Sequence, residues 1–144
     1  MSPFSSDLNK VEQWLKSMNL KNIKRDEAKS MLIVPFGVAG KKFLVQTLVT
    51  KDWIHIKALV ALLKNIPRSM REPLFYSCLA ANFVLPEVTY SADLHGIWVE
   101  ADMPRNTTEE NFRVEFQSVV FGIKHFIEEI APKARYTIQS TMFT

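Results

Sequence analysis

Acid–base, nucleophilic or metal chemistry in this chain would have to come from its histidines, its one cysteine and its paired carboxylates, and their spacing offers none of these. His55, His95 and His125 are far apart. No H-x-x-x-H or H-E-x-x-H pattern sets two imidazoles on one helical face, as a zinc centre would require. Cys78 stands alone, so neither an intrachain disulfide nor a cysteine metal cage can form. Its neighbours Leu74, Phe75 and Leu79 mark it as a buried small hydrophobe rather than a nucleophile. Glu100 and Asp102 fall on one face of a strand and could pair as acid and base, but a solvated strand face accounts for them more simply. Glu128 and Glu129 close a helix in water. Gly37 and Gly40 bracket a turn without either phosphate-cradling pattern, and no serine sits in a G-x-S-x-G elbow. The expectation is a protein that is not an enzyme, with no catalytic residue, no metal and no cofactor.

Binding chemistry has more to work with. Trp14, Trp53 and Trp98 are candidate exposed aromatic anchors, because tryptophan is enriched where interfaces concentrate their energy. Core packing is the competing fate. Trp53, His55 and Lys57 alternate onto one strand face, which is the nearest the chain comes to an RNA-stacking surface. Residues 1–72 carry 13 Lys/Arg against 6 Asp/Glu, and residues 73–144 carry 5 against 9. With a pI near 9.0, the basic half could meet nucleic acid or an acidic peptide. The basic positions are scattered rather than run together, which favours local neutralisation by the other half.

The elements that position these residues follow from periodicity. Val88 to Leu94 and Ile97 to Asp102 alternate about Asp93-Leu94-His95-Gly96, an antiparallel hairpin in which Gly96 takes positive φ and Asp93 bonds the backbone ahead of it. Thr107-Thr108-Glu109-Glu110 reads as a capping box, with Thr107 and Glu110 reciprocating. Phe112, Phe116, Val119, Val120, Ile123, Ile127 and Ile130 then form one helical stripe that Pro132 stops. Ser5-Ser6-Asp7 caps a first helix carrying Leu8, Val11, Leu15 and Met18, and Pro73 falls early in a middle helix. The spacing predicts helices over 7–18, 69–83 and 108–130 and strands over 31–36, 43–49, 53–58, 87–93 and 97–102. Lys21 to Arg25 is a further strand candidate, Pro35 should mark a strand end or edge, and Ala58 to Leu63 fits either strand or helix. The tail 133–144 reads as an extra edge strand or a loose terminus.

Together these elements make a single α+β domain over 1–144 in the order α-β-β-β-α-β-β-α, an antiparallel sheet packed with helices. Hydrophobic residues at 47% and charged residues at 23% are globular values. No apolar run approaches the ~18 residues of a membrane span. The N-terminus has neither a basic leader nor an apolar core, so residence is expected to be cytoplasmic.

That order of elements resembles the YbjN and type III secretion chaperone-like (CesT-like) proteins. The resemblance is carried by Val34-Pro35-Phe36-Gly37 closing a strand, Leu85-Pro86 leaving the middle helix, and Gly96 to Pro104 running into a capped last helix. It spans about residues 5–131 and implies an antiparallel sheet against helices, homodimers, no catalytic residues and, for the chaperones, partner polypeptides. The basic pI departs from the acidic character of those chaperones. Leu74, Phe75, Tyr76, Cys78, Leu79 and Phe83 make the middle helix greasier than one stripe requires. The expected partners are therefore a second copy through that helix and an unidentified protein or peptide, with nucleic acid as the alternative.

Overall fold

The alternating runs pair into one six-stranded antiparallel sheet, and the three helical stripes cover one of its faces. The computed structural model describes residues 2–137, 139 and 141. In chain order the elements are α1 (Ser5–Ser17), β1 (Lys24–Asp26), β2 (Met31–Val38), β3 (Lys41–Val49), β4 (Trp53–Leu62), α2 (Arg68–Val84), β5 (Thr89–Ala92), β6 (Gly96–Pro104) and α3 (Glu109–His125). A π turn (Phe126–Ile130) and a short last helical turn (Ala131–Lys133) prolong α3. The sheet order is β1-β2-β3-β4-β6-β5. The fold class thus matches the sequence reading, with β1 as one more strand than that order held. Among the described residues no helix is long and apolar enough to cross a membrane.

Alternation decides the faces. Phe43, Val45 and Val49 of β3, Ile54 and Ile56 of β4, and Ile97 and Val99 of β6 point inward to Leu8, Val11 and Leu15 of α1 and to Phe112, Phe116, Val119 and Ile123 of α3. Gly122 brings α3 onto β6: a Cβ there would lie 2.5 Å from Val99 Cγ1. Thr47 also faces inward, and its hydroxyl is buried without a hydrogen-bond partner among the described residues. The outer face carries Leu44, Gln46, His55, Lys57, Trp98 and Glu100, all partly accessible.

Local signals fared unevenly. Asp93 Oδ1 accepts from the amides of His95 (2.8 Å) and Gly96 (3.3 Å), and Gly96 has φ +148, as the hairpin motif requires. The last helix is capped one residue later than expected: Thr108 Oγ1 accepts from the Asn111 amide at 3.1 Å, while Asn111 Nδ2 donates to Thr107. Glu110 therefore falls too early to reciprocate. At α1 the cap position is Phe4, without a side-chain bond, and the first turn is held from upstream by Ser2 instead. Pro132 does not stop the helix at Ile130: the π turn Phe126–Ile130 runs on into a last helical turn, Ala131–Lys133, that contains it. Pro35 lies in β2 opposite Leu44, past the reach of β1, whose ladder covers only Met31–Ile33. Ala58 to Leu62 prolong β4 because β6 offers them a partner as far as Gly96.

Candidate functional site

The middle helix is apolar on two sides, and the sheet uses only one. The Arg71 guanidinium donates to the carbonyls of Ile66 and Leu63, fastening the turn before α2 to its first turns. Leu74, Cys78 and Ala81 then point into the core. On the opposite side Tyr76, Leu79, Phe83 and Val84 are 72%, 67%, 92% and 68% exposed. Beside them runs β5, the edge strand, and a groove of about 210 Å³ lies between Phe75 and Leu79 of α2 and Ser91 and Ala92 of β5.

That edge is not an open template. The Asn82 side chain accepts from the Tyr90 amide at 2.7 Å and donates to the Tyr90 carbonyl at 2.9 Å. An amide side chain thus makes the two bonds an added strand would make there. The Tyr90 hydroxyl donates to the Gly122 carbonyl at 2.6 Å, tying β5 to α3. Burial pushes the Cys78 thiol up to about 12, leaving it inert, and burial raises the Tyr90 phenol as well.

The candidates named from sequence are split by the fold. Leu74 and Cys78 are core residues and unavailable to a partner, which corrects their place in the contact set, because the face of α2 that meets the sheet is theirs. Phe75 is half-buried at the groove, and Tyr76 and Leu79 are exposed, next to Phe83 and Val84. Trp14 is no free anchor: it packs on Phe112 with ring centroids 5.4 Å apart and lies under Lys10. Trp53 is 47% exposed on the outer sheet face. Trp98 is half-buried, with its indole N–H donating to Asp93 at 2.9 Å and Lys57 4.8 Å over its ring. Burial works to raise the Asp93 carboxyl, but the hydrogen bonds from the Trp98 indole and the His95 and Gly96 amides together outweigh it and hold the group below its ordinary value.

The titratable side chains singled out from the sequence lie apart in the fold, but for the pairs that β4 makes with β6. His55 Nδ1 pairs with Asp102 on the outer face, and Lys57 sits opposite Glu100 in the ladder. His95 lies in the hairpin turn, and His125 stacks on Phe121. Among the described residues no three His, Cys, Asp or Glu side chains converge as metal ligands.

Sequence reasoning missed Asn82, whose signal was a lone amide late in an apolar helix. It also missed a second apolar groove of about 330 Å³ between the end of α1, β2 and α3, lined by Met18, Leu20, Phe36, Phe116, Val120 and Phe121. The doubled stripe Val120-Phe121 was the trace of that groove in the sequence.

No protein-family model and no curated protein matches this sequence. Solved structures do match in shape. A chain of the ExsC–ExsE complex superposes with a TM-score of 0.64 at 12% identity, covering 90% of this chain and 97% of that one. YbjN from E. coli, described as a candidate transcription regulator, gives 0.62 at 17%, covering 83% and 90%. A chain of the HopA1–SchA chaperone–effector complex gives 0.59 at 12%, covering 89% and 99%. The fold is that of the YbjN and type III secretion chaperone-like proteins.

Proposed function

We propose that the protein is a non-enzymatic module that holds a partner polypeptide and works as a homodimer through α2. The observation that carries this reading is the outward side of α2, where Tyr76, Leu79, Phe83 and Val84 leave a contiguous apolar surface that the sheet does not use. A second copy covers that surface with the same patch, burying on the order of 800 Å² per subunit. With Asn82 already bonded to Tyr90, the contact is made by side chains and not by strand addition at that residue. The described end of the tail does not compete, since Thr141 bonds β3 and β4 rather than α2. The groove between α1, β2 and α3 then remains as an apolar seat for an extended partner segment. Its resemblance in fold to a chain of a chaperone–effector complex supports that role.

Nucleic-acid binding is the weaker reading. Lys57 of the basic half lies opposite Glu100 of the acidic half in the β4–β6 ladder, so part of that half's excess charge is met locally. Light scattering tests the dimer: the wild type is expected at twice 16.6 kDa, and Leu79→Glu or Phe83→Asp near that single mass with an unchanged circular dichroism spectrum. Leu74→Glu is expected to unfold the chain instead. A wild type that stays monomeric at high micromolar concentration refutes the reading.

A further inference from the structure

The groove beside α2 and the most exposed aromatic residue of α2 match in size and chemistry, but they do not meet within one chain. The groove, about 210 Å³, is walled by Phe75, Leu79 and Ala92, with Ile97 buried at its floor. Its two titratable groups, Cys78 and Tyr90, are both kept neutral by burial. Such a site takes an uncharged, apolar group. An apolar cavity of about 150 Å³ already holds a benzene ring, so there is room here for one phenyl side chain. Phe83 carries that ring, and at 92% it is the most exposed large hydrophobic side chain among the described residues. It therefore does not lie in its own chain's groove, which opens beside Phe75, two helical turns or about 12 Å earlier along α2.

We propose that in the α2 dimer, on which this inference rests, the two α2 helices run antiparallel and each Phe83 ring fills the other copy's groove, against Phe75 and Ala92. A two-fold contact sets one patch against itself. The outward stripe Tyr76, Leu79 and Phe83 is centred on Leu79. With the axis there, antiparallel helices place each residue opposite the one equally far on the other side of Leu79. Phe83, four residues after it, then faces Phe75, four residues before it. Charge selects this direction over the parallel one. Arg68 and Arg71 begin α2, and Glu87 follows its end. Antiparallel helices bring each basic start to the other copy's Glu87, whereas parallel helices set Arg68 beside Arg68. Asn82 closes β5 to a further strand at Tyr90, so a second copy engages this edge through side chains. Each ring removes on the order of 200 Å² from water, about a quarter of what a standard interface takes per subunit. One ring and one groove per chain are both used up in the pair, which closes the assembly at two.

Cross-linking of the full-length chain in a Cys78→Ala background tests it. Chains carrying Phe83→Cys are mixed with chains carrying Ala92→Cys and treated with a short bis-maleimide. The mixture is expected to give a covalent dimer on a denaturing gel. Phe83→Cys alone should give none, because the two Phe83 positions of antiparallel helices lie about 12 Å apart along the axis. In sedimentation equilibrium, Phe83→Ala should weaken the dimer about 100-fold or more, since each copy loses a central aromatic anchor. Phe83→Cys chains that join one another overturn the proposal, as does a mixture that yields no product. A Phe83→Ala dimer as tight as the wild type overturns it too, and that exposed position leaves the core untouched. In each of these cases a wild type at twice 16.6 kDa leaves the α2 dimer standing, whereas a monomeric wild type ends both readings.

Discussion

Substituting alanine for Gly122 sets two effects of opposite sign against each other, and the geometry decides between them. Gly122 lies inside α3 with ordinary helical backbone, so a methyl group there would gain about 1 kcal/mol of helix propensity on an exposed face. The face is not exposed. The added Cβ would stand 2.5 Å from Val99 Cγ1 and 3.1 Å from Val88 Cγ1, whereas carbon atoms settle at about 3.5–4.0 Å. Valine is short and stiff at χ1, so relief requires α3 to lift from β6 by about 1 Å, and overpacking of this kind costs about 1–3 kcal/mol. The same lift would stretch the 2.6 Å bond from the Tyr90 hydroxyl to the Gly122 carbonyl, at a cost of about 1 kcal/mol more. The expected net loss is about 1–3 kcal/mol, or a Tm lower by roughly 3–10 °C for a chain of this size. Urea unfolding of Gly122→Ala, Val99→Ala and the double variant checks it. The coupling in that cycle should be favourable by at least about 1 kcal/mol, because removing the Val99 methyls makes room for the new one. A Gly122→Ala protein as stable as the wild type, or additivity in the cycle, would refute the close approach of α3 to β6 and with it the tie that fixes β5 at the sheet edge.

Three further outcomes are expected. Thr47→Val removes a buried hydroxyl that has no partner among the described residues in a side chain of nearly the same shape, and should stabilise the fold by about 1 kcal/mol in denaturant unfolding; a loss of stability would mean the hydroxyl is bonded. The Cys78 thiol is raised from 9.0 to about 12 by burial, so the stability it confers is complete below pH 9 and is lost as pH rises from there toward 12. Relative to Cys78→Ala, the wild type should therefore lose about 1.4 kcal/mol per pH unit above pH 9, and a pH-independent difference between the two would contradict the burial. Thr108→Ala, which removes the hydroxyl that accepts from the Asn111 amide, should cost about 1 kcal/mol in thermal unfolding, whereas Thr107→Ala should cost less; the reverse order would restore the cap to Thr107.

What the sequence determined by itself was everything that depends on a residue and its near neighbours. The turn at Asp93–Gly96 was legible because a side-chain acceptor and a residue free to take positive φ stand three apart. The stripe on α3 was legible because Phe112, Phe116, Val119 and Ile123 repeat at the helical period, and the class of fold followed from the order of such elements. The limits of that reading were also local. Thr107 and Thr108 are chemically alike, and only the path of the chain out of β6 chooses between them. The tertiary structure decided what depends on residues distant in sequence. It set β6 between β4 and β5, which makes β5 an edge and brings Asn82 to it. It turned Leu74 and Cys78 inward and left Leu79 and Phe83 outside. It carried Thr141 across to Lys42 and Leu59. A helix that is apolar on two sides has no periodicity to say which side meets the sheet. That choice belongs to the long-range pairing of β4 with β6, and the candidate site is the side the pairing leaves over.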